Sequence, residues 1–332
     1  MYYEINHRNK ITRGPLRMTI NIGIVMDPIE SITPYKDSSL AMMLAAQNKG
    51  WHLHYIQQSG LYLQGNEVKA DYRPLKVFDN YEKWFAAGAL ETMDAANLDV
   101  ILMRIDPPFD MEYIYTTYLL EIAEQKGSLI VNKPASLRDA NEKLFATRFP
   151  QCCTDVLVSR DPQKLRDFAT KFKDVILKPL DGMGGQSIFR VSPGDANLSV
   201  ILETMVNFGQ HTVMAQKFIP EITAGDKRIL VVNGQAIPYT LARIPAKGET
   251  RGNIAAGGTG KAMPITEREQ WIADQVGPSL KKMGILFAGL DVIGDFLTEI
   301  NITSPTCIRE IDKQFNLDIA GQLMDCIEEI KC

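Results

Sequence analysis

A lysine followed by a glycine-rich turn is the first candidate for chemistry. Residues 178–187 read Lys-Pro-Leu-Asp-Gly-Met-Gly-Gly-Gln-Ser. The backbone N–H groups of Gly182, Gly184 and Gly185 can point at phosphate oxygens while the ammonium of Lys178 neutralises their charge. An ordinary hairpin would use the same glycines, so the cluster alone leaves both interpretations open. A Rossmann fingerprint and a P-loop are excluded, because no Gly-x-Gly-x-x-Gly opens a helix and no Gly-Lys pair precedes Ser or Thr.

Two carboxylates and an amide near the end of the chain form the second candidate. Residues 289–301 read Gly-Leu-Asp-Val-Ile-Gly-Asp-Phe-Leu-Thr-Glu-Ile-Asn, which predicts two apolar strands around a turn. Glu299 and Asn301 are two apart in a strand and so share a face, where their oxygens suit Mg²⁺. A two-residue turn would send Asp291 and Glu299 to opposite faces, whereas a three-residue turn would pair them. We predict the odd-numbered turn, and the alternative is a solvated strand face.

A glycine-rich loop over residues 245–260 is the third candidate. Five glycines in these sixteen residues disfavour a fixed shape without a ligand, which is how a substrate lid behaves. Arg251 within the loop could clamp a substrate carboxylate with two parallel hydrogen bonds. A plain surface loop of the same composition is the competing interpretation.

Arg228 and Arg243 lie in apolar stretches that predict strands, where an unpaired charge would be costly. Both therefore need anionic partners. These partners are either structural, through Asp226 or Glu310, or they are substrate carboxylates. The residues alone support the two interpretations equally.

The elements that must position these residues change character along the chain. In the first part, predicted strands and helices alternate, which favours a parallel sheet covered by helices. The predicted elements are a strand at 20–26, a helix capped by Asp37 and closed at Gly50, strands at 53–56 and 100–103, a helix at 113–126 and a strand at 129–131.

The second part is predicted to be largely antiparallel. Its short strands are bounded by Gly and Pro, and they cover residues 175–178, 188–191, 213–216 and 229–232. Asn233-Gly234 between two apolar runs predicts a tight hairpin, because both turn positions need positive φ. We therefore predict an α/β domain over 19–138 and two α+β lobes over 139–218 and 219–332, after a disordered extension at 1–18.

Composition narrows the class of protein. The chain has 332 residues, 45% of them hydrophobic, and a net charge of −4, which offers no bulk attraction to nucleic acid or anionic lipid. The five cysteines include no Cys-x-x-Cys pair, which favours free thiols in a reducing compartment. No apolar run approaches a membrane span and no secretory signal is visible. These features predict a cytoplasmic enzyme with no nucleic-acid or membrane partner.

Together these segments resemble the bacterial glutathione synthetase family, from about Ile22 to about Ile330. The set of segments is far more specific than any loop within it. The similarity lies in residues 23–28 (Gly-Ile-Val-Met-Asp-Pro), 36–39 (Lys-Asp-Ser-Ser), 106–110 (Asp-Pro-Pro-Phe-Asp), 141–143 (Asn-Glu-Lys), 177–185 and 299–310.

The resemblance implies an ATP-grasp fold, of mixed α/β and α+β class, in which two lobes enclose ATP and the N-terminal domain helps to bind a peptide. It also implies roles for individual residues. The ATP set is Lys143, Lys178, Gly182, Gly184, Gly185, Gln186, Gln216, Lys217, Phe218, Ile219 and Asp226. The metal set, for Mg²⁺ or Mn²⁺, is Asp291, Glu299 and Asn301. The substrate set is Arg228, Arg243, Arg251, Ser304 and Thr306, with Lys178 and these three arginines as the catalytic group.

The reaction implied is the joining of γ-glutamylcysteine to glycine, driven by ATP, through an acyl phosphate. A homo-oligomer, specifically a tetramer, is also implied. Thr259 departs from the family, whose members often carry Arg after the paired glycines of the lid, and this departure leaves glycine affinity and lid closure open. Two rivals are another ATP-grasp ligase, such as one that joins D-alanines or adds glutamate to a protein terminus, and a non-catalytic nucleotide-binding scaffold. The joint presence of Asp291, Glu299 and Asn301 favours turnover over the scaffold.

Overall fold

The structure is a computed structural model that describes residues 19–192, 194–246, 252 and 258–331. The predicted N-terminal extension up to residue 18, Arg251 and most of the predicted lid lie outside the described residues. The strands are β1 Asn21–Met26, β2 His52–Gln64, β3 Glu67–Val77, β4 Phe85–Ala87, β5 Glu91–Asp94, β6 Val100–Arg104, β7 Leu129–Val131, β8 Val156–Ser159, β9 Val175–Pro179, β10 Phe189–Val191, β11 Val213–Lys217, β12 Asp226–Val232, β13 Gln235–Ile244, β14 Thr259–Pro264, β15 Phe287–Ile293 and β16 Phe296–Asn301. The α-helices are α1 Ser38–Asn48, α2 Met111–Gln125, α3 Pro134–Asp139, α4 Glu142–Ala146, α5 Pro162–Phe172, α6 Leu198–Val206, α7 Glu267–Lys282, α8 Ile308–Phe315 and α9 Ile319–Lys331.

The first sheet is parallel at its centre and mixed overall. Its order is β4-β3-β2-β1-β6-β7, with β5 paired to β3. The strands β2, β1, β6 and β7 are parallel, as predicted, whereas β3 joins β2 in antiparallel orientation. The prediction ended β2 near Ile56, but the strand continues to Gln64 after a register irregularity between Ile56 and Leu61. The polar run that follows Ile56 carries no simple alternation, which is why the long β2–β3 hairpin was missed.

Local signals in the sequence set the helix ends in this domain. The Asp37 carboxylate accepts a hydrogen bond from the Leu40 N–H at 2.6 Å, and α1 ends before Gly50, which has φ +82°. Asp110 caps α2 in the same way through the Tyr113 N–H at 2.9 Å. Short polar side chains at such positions satisfy N–H groups that have no partner inside the helix. The predicted cap and stop of α1 are confirmed.

The second sheet has the order β10-β9-β11-β8 and is antiparallel throughout. One of its faces packs on α5 and α6 in a core that includes Leu165, Leu177 and Leu202. Successive residues along a strand point to opposite faces, so Ile176 and Lys178, on either side of Leu177, point away from that core. The opposite face of this sheet is therefore available to form a wall of a site.

The third sheet has the order β14-β13-β12-β15-β16. Val232 pairs with Gln235 across the two-residue turn Asn233-Gly234, whose φ values are +48° and +79°. Both values lie in the left-handed region that this tight hairpin requires. The predicted hairpin is confirmed.

The prediction of an odd-numbered turn between β15 and β16 is wrong. Ile293 pairs with Phe296, so the turn has two residues, Gly294 and Asp295. Asp291 nevertheless pairs with Glu299, because the register shifts after Val292 and leaves Thr298 as an extra residue, a β-bulge. Because of the bulge, Asp291 and Glu299 lie on the same face of the sheet, as they would have done with an odd-numbered turn.

A buried amide ties the first sheet to the third. Asn132 donates to the carbonyls of Phe287 and Ile302 at 2.7 Å each and accepts from the Phe287 N–H at 3.0 Å. These bonds fix the end of β7 against β15 and the segment after β16. Within the described ranges no helix is both long and apolar enough to cross a bilayer.

Candidate active site

Two clefts open into each other between the sheets. The first cleft lies between the free face of the second sheet and the third sheet, and the second cleft lies between the third sheet and the first. Four residues line both clefts: Glu142, Met183, Gly184 and Asn301. A molecule in one cleft can therefore touch a molecule in the other at this junction.

The glycine-rich turn covers one end of the first cleft. Gly182, Gly184, Gly185 and Gln186 line it together with Lys178 from the end of β9. Lys178 is buried, and its Nζ donates to the Thr298 carbonyl at 3.3 Å. Burial lowers the pKa of Lys178, Glu299 opposes this fall and the neighbouring Lys143 adds to it. The turn and lysine are thus arranged over a cleft, as the phosphate interpretation predicts.

The short helix α4 holds this turn in place. Asn141 caps the helix and its Nδ2 also donates to the Leu180 carbonyl at 3.0 Å. The Lys143 Nζ donates to the Gly182 carbonyl at 2.6 Å and pairs with the Glu299 carboxylate at 2.9 Å. Lys143 therefore joins the glycine-rich turn to the acidic strand β16 across the first cleft.

Four charged residues on neighbouring strands form an arginine–aspartate cluster: Asp226, Arg228, Arg243 and Asp291. In the strand register, Arg228 of β12 lies opposite Asp291 of β15, and Asp226 of β12 lies opposite Arg243 of β13. The Arg228 Nε donates to Asp291 at 2.5 Å and its Nη2 at 3.0 Å, and the Arg243 Nη2 lies 2.9 Å from Asp291. Burial alone would raise the pKa of Asp291, but the two guanidinium groups hold it below its usual range. Asp291 is therefore an anion in the folded protein.

Asp226 is the less satisfied carboxylate of the cluster. Its Oδ2 accepts from the Arg243 Nη2 at 2.5 Å, whereas its Oδ1 is buried without a partner among the described residues. Burial raises the pKa of Asp226 to about 6, Arg243 opposes the rise and Asp291 adds to it. Asp226 also lines the first cleft.

Glycines make room for the cluster. A Cβ at Gly289 would lie 2.7 Å from the Arg228 Cδ. A Cβ at Gly252 would lie 2.6 Å from the Arg243 carbonyl oxygen and 2.9 Å from the Asp226 Cβ. Gly252, a described residue within the predicted lid, therefore lies directly against Asp226 and Arg243.

The predicted metal set comes together on one wall of the first cleft. Asp291, Glu299 and Asn301 all line it, and Asn301 donates from Nδ2 to the Gly289 carbonyl at 3.3 Å. Two carboxylates and an amide oxygen are a donor set that fits Mg²⁺ when phosphate oxygens and water complete it. No group of three His, Cys, Asp or Glu side chains in metal-binding geometry is present among the described residues. Asp291 faces two arginines and Glu299 faces Lys143, so both carboxylates are paired with protein cations.

The far end of the first cleft is apolar. The strand β11 and the linker after it contribute Gln216, Lys217, Phe218 and Ile219, four residues that the family resemblance assigns to the ATP set. Ile176, Ile188, Ile222 and Ile293 complete this end of the lining. A flat apolar ring system would suit this end, and an anionic group would suit the end with Lys143 and Lys178.

The second cleft contains three of the four residues of the predicted substrate set that the structure describes. Arg243, Ser304 and Thr306 line it. Arg228 lines neither cleft among the described residues, because it is buried behind Asp291. Arg251 lies outside the described residues.

Arg104 in the second cleft was not predicted. It is buried, its Nε donates to the Ser39 hydroxyl and its Nη2 to the Pro305 carbonyl, each at 3.0 Å. It forms no salt bridge with a described carboxylate, and burial lowers its pKa against the pull of Asp106 and Asp37. A buried cation whose hydrogen-bond partners are all neutral is a candidate binding site for an anion. Its signal was a charge at the end of an otherwise apolar strand, β6.

Glu142 was also missed, although it lies in the segment Asn141-Glu142-Lys143 that contributes to the family resemblance. Its Oε1 accepts from the Ile302 N–H at 2.8 Å, the Thr303 N–H at 3.1 Å and the Thr303 hydroxyl at 2.9 Å. Burial raises its pKa and Glu299 adds to the rise. Glu142 thus anchors α4 to the segment after β16 at the junction of the two clefts. Asn141 as a cap followed by an acid was its only signal in the sequence.

Two antiparallel lobes that enclose a cleft with lysines on one side and acids on the other define an ATP-grasp ligase fold. Solved structures agree: the chain is similar to D-cycloserine synthetase DcsG, with a TM-score of 0.65 and 12% identity over 94% of this chain and 100% of that one. It is also similar to the ATP-grasp ligase PsnB solved with minimal precursor, Mg and ADP, with a TM-score of 0.60 and 15% identity over 93% and 98% of the two chains. At these identities the likeness concerns the fold.

The family is shown by closer matches. Residues 20–138 match the model of the prokaryotic glutathione synthetase N-terminal domain, and residues 142–316 match that of its ATP-grasp domain. The glutathione synthetase of Pseudomonas putida is 62% identical over 311 residues, which cover 94% of this chain and 98% of that protein. The chain belongs to the prokaryotic glutathione synthetase family.

Proposed function

We infer that this protein joins γ-glutamylcysteine to glycine at the expense of ATP, giving glutathione, ADP and phosphate. The identity of the substrates is inferred from membership of the family. The structural observation that supports the reaction is the junction of the two clefts at Glu142, Met183, Gly184 and Asn301. A phosphoryl group bound in the first cleft can reach a carboxylate bound in the second at this junction.

The chemistry needs activation of a carboxylate, since its oxygen is a poor leaving group. The cysteinyl carboxylate attacks the γ-phosphorus of ATP, the bond to the β,γ-bridging oxygen breaks, and ADP leaves. The glycine amine then attacks the carbonyl carbon of the acyl phosphate and forms the C–N bond, the acyl C–O bond breaks, phosphate departs with that oxygen, and the amine loses a proton. No covalent bond to the protein is required, so catalysis consists of positioning and charge neutralisation.

The first cleft is the proposed ATP site. Lys143 and Lys178 hold the phosphates under the glycine-rich turn, and residues 216–219 hold the adenine at the apolar end. Asp226, which also lines this cleft, is proposed to lie near the ribose. Asp291, Glu299 and Asn301 are the proposed ligands of Mg²⁺, with Mn²⁺ as an alternative; when bound, the ion neutralises charge on the β- and γ-phosphates. The ATP-grasp ligase PsnB has been solved with Mg and ADP, which supports this metal for the fold.

The second cleft is the proposed dipeptide site. γ-Glutamylcysteine carries two carboxylates, and the cleft offers two guanidinium groups at separate places, on Arg104 and Arg243. Ser304 and Thr306 add hydroxyl groups beside the junction. We propose that Arg104 binds the free α-carboxylate of the γ-glutamyl residue. Arg243 and the junction then face the cysteinyl carboxylate, which is the one that is phosphorylated. Arg228 then acts by fixing Asp291 and touches no substrate.

The lid over residues 245–260, with Arg251, is proposed to exclude water from the acyl phosphate. Gly252 over Asp226 and Arg243 supports a closing position for it. Glycine as the acceptor, despite Thr259 in the lid, is carried over from the family. A cytoplasmic location and a tetrameric assembly remain predictions.

One assay separates this function from its rivals. Phosphate release from ATP is measured with γ-glutamylcysteine and glycine, together and singly, and glutathione is quantified by mass spectrometry. Release that requires both substrates and matches the glutathione formed supports the proposal. Release only with another acceptor, such as D-alanine, would identify a different ligase. Tight ADP binding without turnover would identify a scaffold.

A further inference from the structure

An exposed arginine stands at the outer end of the first cleft and contacts one of its walls. The Arg190 Cζ lies 3.7 Å from the centroid of the Phe218 ring, which is a close cation–π contact. Arg190 pairs in register with Ile176, so both lie on the cleft-facing side of the second sheet. Phe218 lines the first cleft, whereas Arg190 is absent from the lining among the described residues.

Asp174 holds both partners of this contact. Its two carboxylate oxygens accept from the Arg190 Nε at 2.9 Å and Nη2 at 2.6 Å, which is a bidentate pair. Its backbone carbonyl accepts from the Phe218 N–H at 2.9 Å. The guanidinium plane is thus fixed relative to the backbone that carries the ring.

We propose that Asp174, Arg190 and Phe218 form a positioning unit that sets the outer wall of the nucleotide base site. Phe218 belongs to the linker between the two lobes, and its ring would otherwise turn about its side-chain bonds toward solvent. Arg190 holds the ring at the angle that a flat base requires and acts on the nucleotide only through Phe218. A planar, bidentate guanidinium suits this task, and a lysine ammonium does not. This inference rests on the first cleft being the ATP site.

The consequence is a selective effect on nucleotide binding. We expect Arg190→Ala to raise the KM for ATP and the Kd for ADP about two- to five-fold, the ratio that corresponds to an exposed cation–π contact. The KM values for γ-glutamylcysteine and glycine, and kcat at saturating ATP, should stay unchanged. Arg190→Lys should recover only part of the loss, and Asp174→Asn should resemble Arg190→Ala. Arg166→Ala is the matched control, since Arg166 lies on the same lobe and contacts the Ser199 hydroxyl at 3.2 Å.

A double-mutant cycle decides whether Arg190 acts through the ring. ADP binding is measured by calorimetry for the wild type, Arg190→Ala, Phe218→Leu and the double variant, with thermal unfolding to confirm that each is folded. The proposal expects the effect of Arg190→Ala to vanish in the Phe218→Leu background. An equal effect in both backgrounds, or no effect of Arg190→Ala on ADP binding, overturns it.

The same experiment keeps the two proposals apart. If the wild type binds ADP but forms no glutathione, the substrate assignment fails while the cycle still tests the unit. If Phe218→Leu leaves ADP binding unchanged, the base does not lie against this wall, and the positioning unit is rejected whatever the reaction is.

Discussion

Asp291 carries two roles that a single carboxylate can combine. Its oxygens accept hydrogen bonds from Arg228 and Arg243 inside the fold, and the same residue lines the cleft beside Glu299. Removing one partner of a buried ion pair leaves the other charges uncompensated, which costs far more than the pair itself contributes. Residues of this kind should therefore affect stability and activity together.

We expect Asp291→Asn to lower the free energy of unfolding by about 3–5 kcal/mol, because two buried guanidinium groups lose their shared anion. The Mg²⁺ concentration for half-maximal rate should rise about 10- to 100-fold or more. Replacing a residue that only supports a metal ligand already lowers metal affinity by about this factor. Urea unfolding and a Mg²⁺ titration of the rate test these values. Asp295→Asn in the turn of the same hairpin is the control. A normal Mg²⁺ requirement in a folded Asp291→Asn variant would remove Asp291 from the metal site.

Arg104 offers a separate test of the second cleft. We expect Arg104→Lys to raise the KM for γ-glutamylcysteine about 10- to 100-fold, the ratio that corresponds to one charge-assisted hydrogen bond, and to leave the KM for ATP unchanged. Initial rates at varied dipeptide give the measurement. Arg73→Lys, at an exposed site in β3, serves as the control. Equal changes in both KM values would mean that the variant distorts the whole site and that Arg104 has no specific contact.

At the scale of elements, the β12–β13 turn rests on the helix α7 without any side chain between them. A Cβ at Gly277 would lie 2.1 Å from the Gly234 carbonyl oxygen. The helix and the hairpin therefore meet backbone to backbone, and this contact supports the strand that carries Asp226 and Arg228.

Gly277→Ala should lower the free energy of unfolding by about 1–3 kcal/mol, since overpacking at a backbone contact outweighs the roughly 1 kcal/mol gain in helix propensity. Equilibrium urea unfolding measures the change. Ser279→Ala in the same helix gives the propensity effect without the contact. A Gly277→Ala protein more stable than the wild type would show that the turn moves aside at no cost.

The junction of α8 and α9 contains a carboxylate whose titration should be visible in stability. Burial raises the pKa of Asp312 to about 6, against the hydrogen bond from the Ile319 N–H, and Asp318 adds to the rise. The pKa in the unfolded chain is about 3.9, so the folded state binds the proton more tightly. The contribution of this proton to stability is complete below about pH 4 and is lost as pH rises through about 6.

Asp312→Asn, which mimics the protonated group, should therefore gain stability relative to the wild type as pH rises from about 4 to 7. Urea unfolding over this pH series tests the sign. A difference between Asp312→Asn and the wild type that is constant with pH would contradict the prediction.

The same elements show what local sequence can and cannot predict. The cap at Asp37 and the Asn233-Gly234 turn were predictable because each depends on a few adjacent residues. The β15–β16 turn was not, since a bulge at Thr298 is selected by what both faces must pack against. The ion pairs of Arg228 and Arg243 depend on the register of three strands, so sequence could only require partners for them. Glu142 acts through contacts 160 residues away in the chain, which no local pattern encodes.

At the scale of the whole molecule, three sheets contribute to one site: α4 links the second sheet to the third, and Asn132 links the first to the third. Its Glu142 bonds to the segment after β16, and its Lys143 bonds to the glycine-rich turn and to Glu299. Most of the site is thus held together by side chains that also line it. Ligand binding must replace some of these bonds.

The 2.9 Å contact between Lys143 and Glu299 has a consequence for the order of loading. The ammonium already pairs with a carboxylate that we propose as a ligand of the divalent ion, and an incoming anion would compete for the ammonium. We expect calorimetry to show weak Mg²⁺ binding to the protein alone and tight binding with a non-hydrolysable ATP analogue, whereas Lys143→Met should bind Mg²⁺ without nucleotide. Equal affinities of the unmodified protein in the two titrations would exclude this exchange. In the expected outcome, Lys143 serves as a built-in counter-ion that delays the metal until the triphosphate accompanies it.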